Sequence, residues 1–249
     1  MTRVMTPAAR ERARVRTPLV LLSVAVWVLL FEMSHRPGPM IDSLVPGHAP
    51  GLGVVAAVVS VAVSWVLMVV AMMAPLLVAP VGHVWAQSFV ARRIRAVGLF
   101  LCGYLAVWTL VGLALVGLGL AVLRAGVAPP VVVGGVVAGA VGWQCSPVKQ
   151  RCLNRLRAHP GLAAFGRAAD LDACRFGCTH GAWCAGSCWA LMLLTVLAPW
   201  GMSVMLAAMA WFVAERLDRP QPPGWRVRVP ARAARLAVAH LRRASSSSY

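Results

Sequence analysis

The chain opens on a polar arm and then alternates long apolar runs with short charged segments, a rhythm that lasts to about residue 213. Six apolar runs stand out, at 19–33, 52–79, 97–123, 127–143, 176–198 and 202–213. A helix of roughly 20 residues crosses a hydrocarbon layer of about 30 Å, and backbone in lipid must be helical so that its N–H and C=O groups pair internally. The first, fourth and sixth runs are the short ones. Pro199 and Gly201 break the chain between the last two. The pattern predicts an all-α, polytopic transmembrane bundle of about six spans. Pro75 lies inside the second run and is expected to kink it. Lacking an N–H, it should free the carbonyl of Ala71 and loosen the helix where a ligand would enter. Gly112, Gly117 and Gly119 in the third run, and Gly134, Gly135 and Gly139 in the fourth, predict close approach of neighbouring helices. No internal repeat is evident.

Composition excludes an ordinary soluble domain: 60% of residues are hydrophobic and 12% charged, against nearer one half and one quarter in soluble proteins. The net charge of +17 would suit nucleic acid, but its placement between apolar runs reads as topology, and no nucleic-acid partner is expected. Basic residues on short loops mark the cytoplasmic side. Five lie in the N-terminal arm, Arg92, Arg93 and Arg95 follow the second run, six from Lys149 to Arg175 follow the fourth, and eight from Arg216 to Arg243 form the tail. Only Arg36 and Arg124 fall in the loops that would face outward. Both termini are therefore expected in the cytoplasm, with residues 1–17 a basic arm, 18–217 the membrane domain and 218–249 a basic tail. No small-residue cleavage site follows Leu30, so the first run reads as an anchor and not a signal peptide. The tail from Arg226 to Ala244 reads either as an interfacial helix on an anionic inner leaflet or as a solvated basic segment. Ser245 to Ser248 read as disordered. Arginine supplies 23 of the 24 basic residues, a bias that fits a bacterial genome and an inner, plasma-membrane location.

Candidate chemistry concentrates in the fifth run. Residues four apart share a helix face, so His180, Cys184, Cys188 and Met192 form one stripe, with Gly177 and Gly181 beside it. Thiolate and thioether together select soft metals, above all Cu(I), although imidazole alone also suits zinc, iron or nickel. One helix cannot complete such a site. Met68 and Met72 make a second stripe in the second run, and Met202, Met205 and Met209 a third in the last. In the six-span topology Met68, Met72, Cys184, Cys188 and Met209 fall near mid-membrane. Each has a plainer reading as core filler. Cys102, Cys145, Cys152, Cys174 and Cys178 fall near the reducing inner face, which argues against structural disulfides. No phosphate loop, Ser-His-Asp arrangement or Cys-x-x-Cys pair is present, and no catalytic residue is assigned.

The segments Ala71-Met-Met-Ala-Pro75, Pro147-Val-Lys-Gln-Arg-Cys-Leu153 and His180-Gly-Ala-Trp-Cys-Ala-Gly-Ser-Cys-Trp-Ala-Leu-Met192, followed by Gly201-Met202 and Glu215, carry a resemblance. Over about Trp65 to Arg216 the chain resembles the predicted metal-binding integral membrane proteins, long classed as a domain of unknown function and sometimes labelled copper chaperone. The resemblance implies that Met72, Met73, Cys152, His180, Cys184, Cys188, Met192 and Met202 are the family's marked positions. Ser187 stands where similar sequences often carry another cysteine, and Ser203 where an asparagine is common.

The reading that joins these observations is a membrane protein that handles Cu(I), or another soft metal, and delivers it to a copper-accepting protein or across the membrane. Cys184 and Cys188 would be thiolate ligands, Met68, Met72, Met192 and Met209 exchangeable ones, and His180 with Cys152 an inner gate. Two alternatives of other classes stay open: a membrane thiol–disulfide redox protein, and a structural subunit of a larger membrane complex.

Overall fold

The computed structural model describes residues 7–33, 54–197, 201–228, 230 and 232. Among them the regular structure is helical, with no strand. Eight α-helices follow in chain order: α1 (Pro7–Met33), α2 (Val54–Met73), α3 (Val78–Gln87), α4 (Arg93–Arg124), α5 (Pro129–Cys145), α6 (Pro147–Arg155), α7 (Gly166–Leu197) and α8 (Gly201–Leu217). The tail reading at 226–244 and the serine run fall almost wholly outside the described residues.

Three stretches, Ala13–Glu32, Val61–Gln87 and Val90–Val122, are long and apolar enough to cross a membrane. The pair α5 and α6, bent by 61° at Ser146, makes a fourth if counted as one broken span. The runs expected at 176–198 and 202–213 are helical in their described parts, and among the described residues neither is one of these stretches. Glycine, cysteine, histidine and hydroxyl side chains dilute the apolar content of α7, and α8 has only 17 residues.

The second expected span is broken where Pro75 stands. A 3-10 turn, Ala74–Leu77, joins α2 to α3. The carbonyl of Ala71 that proline leaves without its intrahelical donor is taken up from α1: Ser23 Oγ donates to it at 2.7 Å and Trp27 Nε1 at 3.1 Å. The break is therefore capped by a neighbouring helix.

Side-chain contacts fix the helix directions. Glu11 on α1 accepts from Trp85 Nε1 at 2.9 Å, while Ser23 and Trp27 meet Ala71, so α1 runs opposite to α2 and α3. Trp85 also lies under the Arg93 guanidinium, and Trp65 Nε1 donates to the carbonyl of Trp108 at 3.0 Å, so α2–α3 runs opposite to α4. Asp170 accepts from Arg92 at 2.5 Å and from Arg95 at 2.6 Å, while Tyr104 lies beside Cys184. Helices α4 and α7 are thus parallel.

Close packing of α4 on α7 depends on glycines. A Cβ on Gly177 would collide with the carbonyl of Phe100, and one on Gly103 with that of Cys174. One on Gly181 would stand 3.2 Å from the carbonyl oxygen of Tyr104. Gly112 makes room for the indole of Trp65. At Gly117, Gly134, Gly135 and Gly139 a Cβ would meet none of the described residues within 4 Å. Helix α5 touches the bundle along a narrow line, with Ala140 its one buried residue.

Candidate metal site

Cys184 lies in the middle of α7, where side chains from α2, α4 and α8 reach it. Its sulfur accepts a hydrogen bond from Tyr104 Oη at 3.3 Å and one from Arg216 Nη2 at 3.4 Å. The thiol faces the sulfur of Met73 at 3.7 Å. One turn on, the Cys188 thiol donates to the carbonyl of Cys184 at 2.9 Å, and Ser187 Oγ donates to the same carbonyl at 2.7 Å. Both cysteines are buried.

The remaining residues singled out by the sequence lie on and around this core. Met72 and Met192 are fully buried in the same core as Met73. Met68 is also buried, and its sulfur accepts from Thr195 Oγ1 at 3.5 Å, beyond Met192 along α7. His180 is buried among Phe176, Phe100 and Tyr104, at ring separations of 5.7, 6.0 and 6.2 Å. Cys152, on α6, is buried at the height of the pair but on the opposite face of α7: its sulfur would stand 2.8 Å from a Cβ on Gly186. Met202 and Met209 are half-buried; Met209 packs against the core from α8.

Helix α6 is held in this place by local chemistry. Ser146 caps it, accepting from the backbone N–H of Lys149 at 3.1 Å, with Pro147 at the first helical position. Lys149, almost wholly buried, makes an ion pair with Glu215 of α8, and the same carboxylate oxygen accepts from Trp211 Nε1 at 2.7 Å. Arg157 donates to the backbone carbonyls of Glu215, at 3.4 Å, and Asp218. The residue that follows Glu215 is Arg216, so this clasp sets the guanidinium beside Cys184.

Tyr104 and Arg216 are the contacts that reading the sequence missed. Tyr104 is one of only two tyrosines, set in an apolar run, and a buried phenol needs a partner. Arg216 was read only as a topology charge. Among the described residues, no group of three or more His, Cys, Asp or Glu side chains is gathered to hold a metal; the donors around Cys184 are a thiol and a thioether. All seven cysteines are free thiols. Cys102 is exposed, and Cys145, Cys174 and Cys178 are half-buried.

Residues 62–238 match the family model PpoB2, described as copper chaperone, over 177 of the 249 residues of the chain. No curated protein and no solved structure matches the chain.

Proposed function

Because the chain belongs to the PpoB2 family, described as copper chaperone, we propose that it carries Cu(I) as cargo in a six-span membrane bundle. The observation that supports this most is the soft donor set at one depth of the core: the Cys184 sulfur against that of Met73 at 3.7 Å, with Cys188 one turn along. Thiolate and thioether favour Cu(I) over harder ions. Cys184 and Cys188 act as thiolate ligands, and Cys152 offers a further thiol from α6, on the opposite face of α7. Met72, Met73 and Met192 serve as weaker ligands, with Met68, Met202 and Met209 along the path, and His180 stands on the inner approach. Tyr104 and Arg216 hold the Cys184 sulfur in place by hydrogen bonds. Copper passes by ligand exchange to a copper-accepting protein or across the membrane, with no covalent step by the protein.

Placement in a membrane, here read as a bacterial plasma membrane, is supported only as to lipid, by an inverted distribution of polarity. Leu21, Leu22, Val28 and Phe31 on α1, and Leu110 and Leu113 on α4, are exposed, while Ser23, His180, Ser187 and Thr195 are buried. Lipid tolerates the first set and excludes the second. In this reading residues 18–217 form the membrane domain, and the basic arm at 1–17 and the basic tail at 218–249 belong to the cytoplasmic side.

The test is metal analysis of detergent-purified protein, prepared anaerobically with copper, wild type beside Cys184→Ser/Cys188→Ser. Copper bound at about one ion per chain or more, falling by about one ion per chain in the variant, is the expected result. Wild-type protein without copper, zinc or iron overturns the reading and brings thiol–disulfide exchange forward.

A further inference from the structure

Helix α7 carries two thiol pairs of the same design. Cys174 and Cys178 are four residues apart, as are Cys184 and Cys188, so each pair shares one face of the helix. Corresponding members of the two pairs are ten residues apart, about 15 Å along the helix axis. Helix α4 flanks both, with Gly103 against Cys178 and Tyr104 against Cys184. At Gly103 the absent side chain leaves a notch for the Cys178 sulfur, which would stand 3.0 Å from a Cβ there. The two pairs differ in access. Cys184 and Cys188 are buried, while Cys174 and Cys178 are half-exposed, near the end of α7 where Asp170 bonds Arg92 and Arg95. Of residues 179–183, which separate the pairs, His180 alone has a metal-ligating side chain.

We propose that Cys174 and Cys178 form a second Cu(I) site, an outer station that receives copper and passes it inward to the Cys184–Cys188 station. The proposal rests on the copper reading of the inner pair. A soft monovalent ion is satisfied by few ligands, and two adjoining thiols supply two thiolates of the preferred kind. Each thiol that binds copper releases its proton to solvent. When copper moves on, the outer thiolates take up protons and the inner thiols lose theirs. Copper remains Cu(I) throughout, and no electron is transferred. The half-exposed pair is the one a donor protein reaches; the buried pair, held by Tyr104, Met73 and Arg216, retains the ion.

The experiment is anaerobic titration of the full chain in detergent with Cu(I) against a chromophoric chelator, for four proteins. These are wild type, Cys174→Ser/Cys178→Ser, Cys184→Ser/Cys188→Ser and the fourfold variant. About two ions per chain in wild type, about one in each double variant and none in the fourfold variant is the expected series. The outer variant is also expected to load its inner site more than tenfold more slowly. A second readout avoids dependence on that variant's folding. In Cys184→Ser/Cys188→Ser, Cu(I) should protect Cys174 and Cys178 from alkylation by N-ethylmaleimide, read by peptide mass spectrometry. Unchanged stoichiometry and loading rate in the outer variant, with no protection, overturns the outer station while leaving the inner one standing. Wild type that binds no copper overturns both.

Discussion

A methyl group on Gly177 would run into the backbone carbonyl of Phe100, which cannot move without parting α4 from α7. Gly177→Ala should therefore cost about 1–3 kcal/mol or more, the range for overpacking a tight core. Gly139→Ala meets nothing within 4 Å and should shift stability by no more than about 0.5 kcal/mol. Thermal unfolding in detergent, with both variants beside wild type, checks the contrast. The sequence does not separate the two glycines, because a small residue on an apolar helix does not announce whether a partner covers it. Cys174 supplies a pH test. Burial, and then the neighbouring Cys178, push its thiol above the ordinary value. Since only the thiolate reacts with maleimide, its labelling rate should keep rising with pH beyond the range where a free cysteine levels off. Cys178→Ala removes the second cause and should move that profile back down in pH. A profile identical to that of a free cysteine in both proteins would contradict the assignment.

At the scale of the element, Pro75 shows how far local chemistry can be read and where it stops. That proline would free the carbonyl of Ala71 followed from its missing N–H; that Ser23 and Trp27 of α1 would take it up did not, because the partner lies more than 40 residues away. The freed acceptor ties α1 to α2 and does not leave a loose opening. Ser23→Ala should cost about 1 kcal/mol, the net worth of a buried neutral hydrogen bond. In a Pro75→Ala background the helix can supply its own donor, so the same change should cost less. The two substitutions should show a coupling of at least about 0.5 kcal/mol in a double-mutant cycle. Strict additivity would mean that the α1 contacts do not depend on the proline. The stripe of His180, Cys184, Cys188 and Met192 was legible for the opposite reason: it depends only on the 3.6-residue period of one helix.

Across the whole molecule, the site is completed by residues far apart in sequence. Met73 comes from α2, Tyr104 from α4 and Arg216 from α8, and only their residue types, not their meeting, stood in the sequence. The Lys149–Glu215 pair joins α6 to α8 and holds the last helix over the cysteines. With 3% of the lysine and 14% of the glutamate side chain exposed, removal of one partner strands a charge in the core, a change that typically costs about 3–5 kcal/mol. Glu215→Gln keeps an acceptor for the Trp211 indole and loses the charge, so its cost should come mainly from the stranded lysine. Lys149→Met/Glu215→Leu removes both charges and should recover most of the stability, because a matched apolar pair replaces a buried ion pair at little net cost. If the clasp also sets Arg216 beside Cys184, the double variant should fold while its Cys184 thiol alkylates more readily than in wild type. Chemical denaturation and mass-spectrometric labelling of the same samples separate the two effects. Recovered stability with unchanged labelling would leave the ion pair a fastening of the bundle that has no hold on the site.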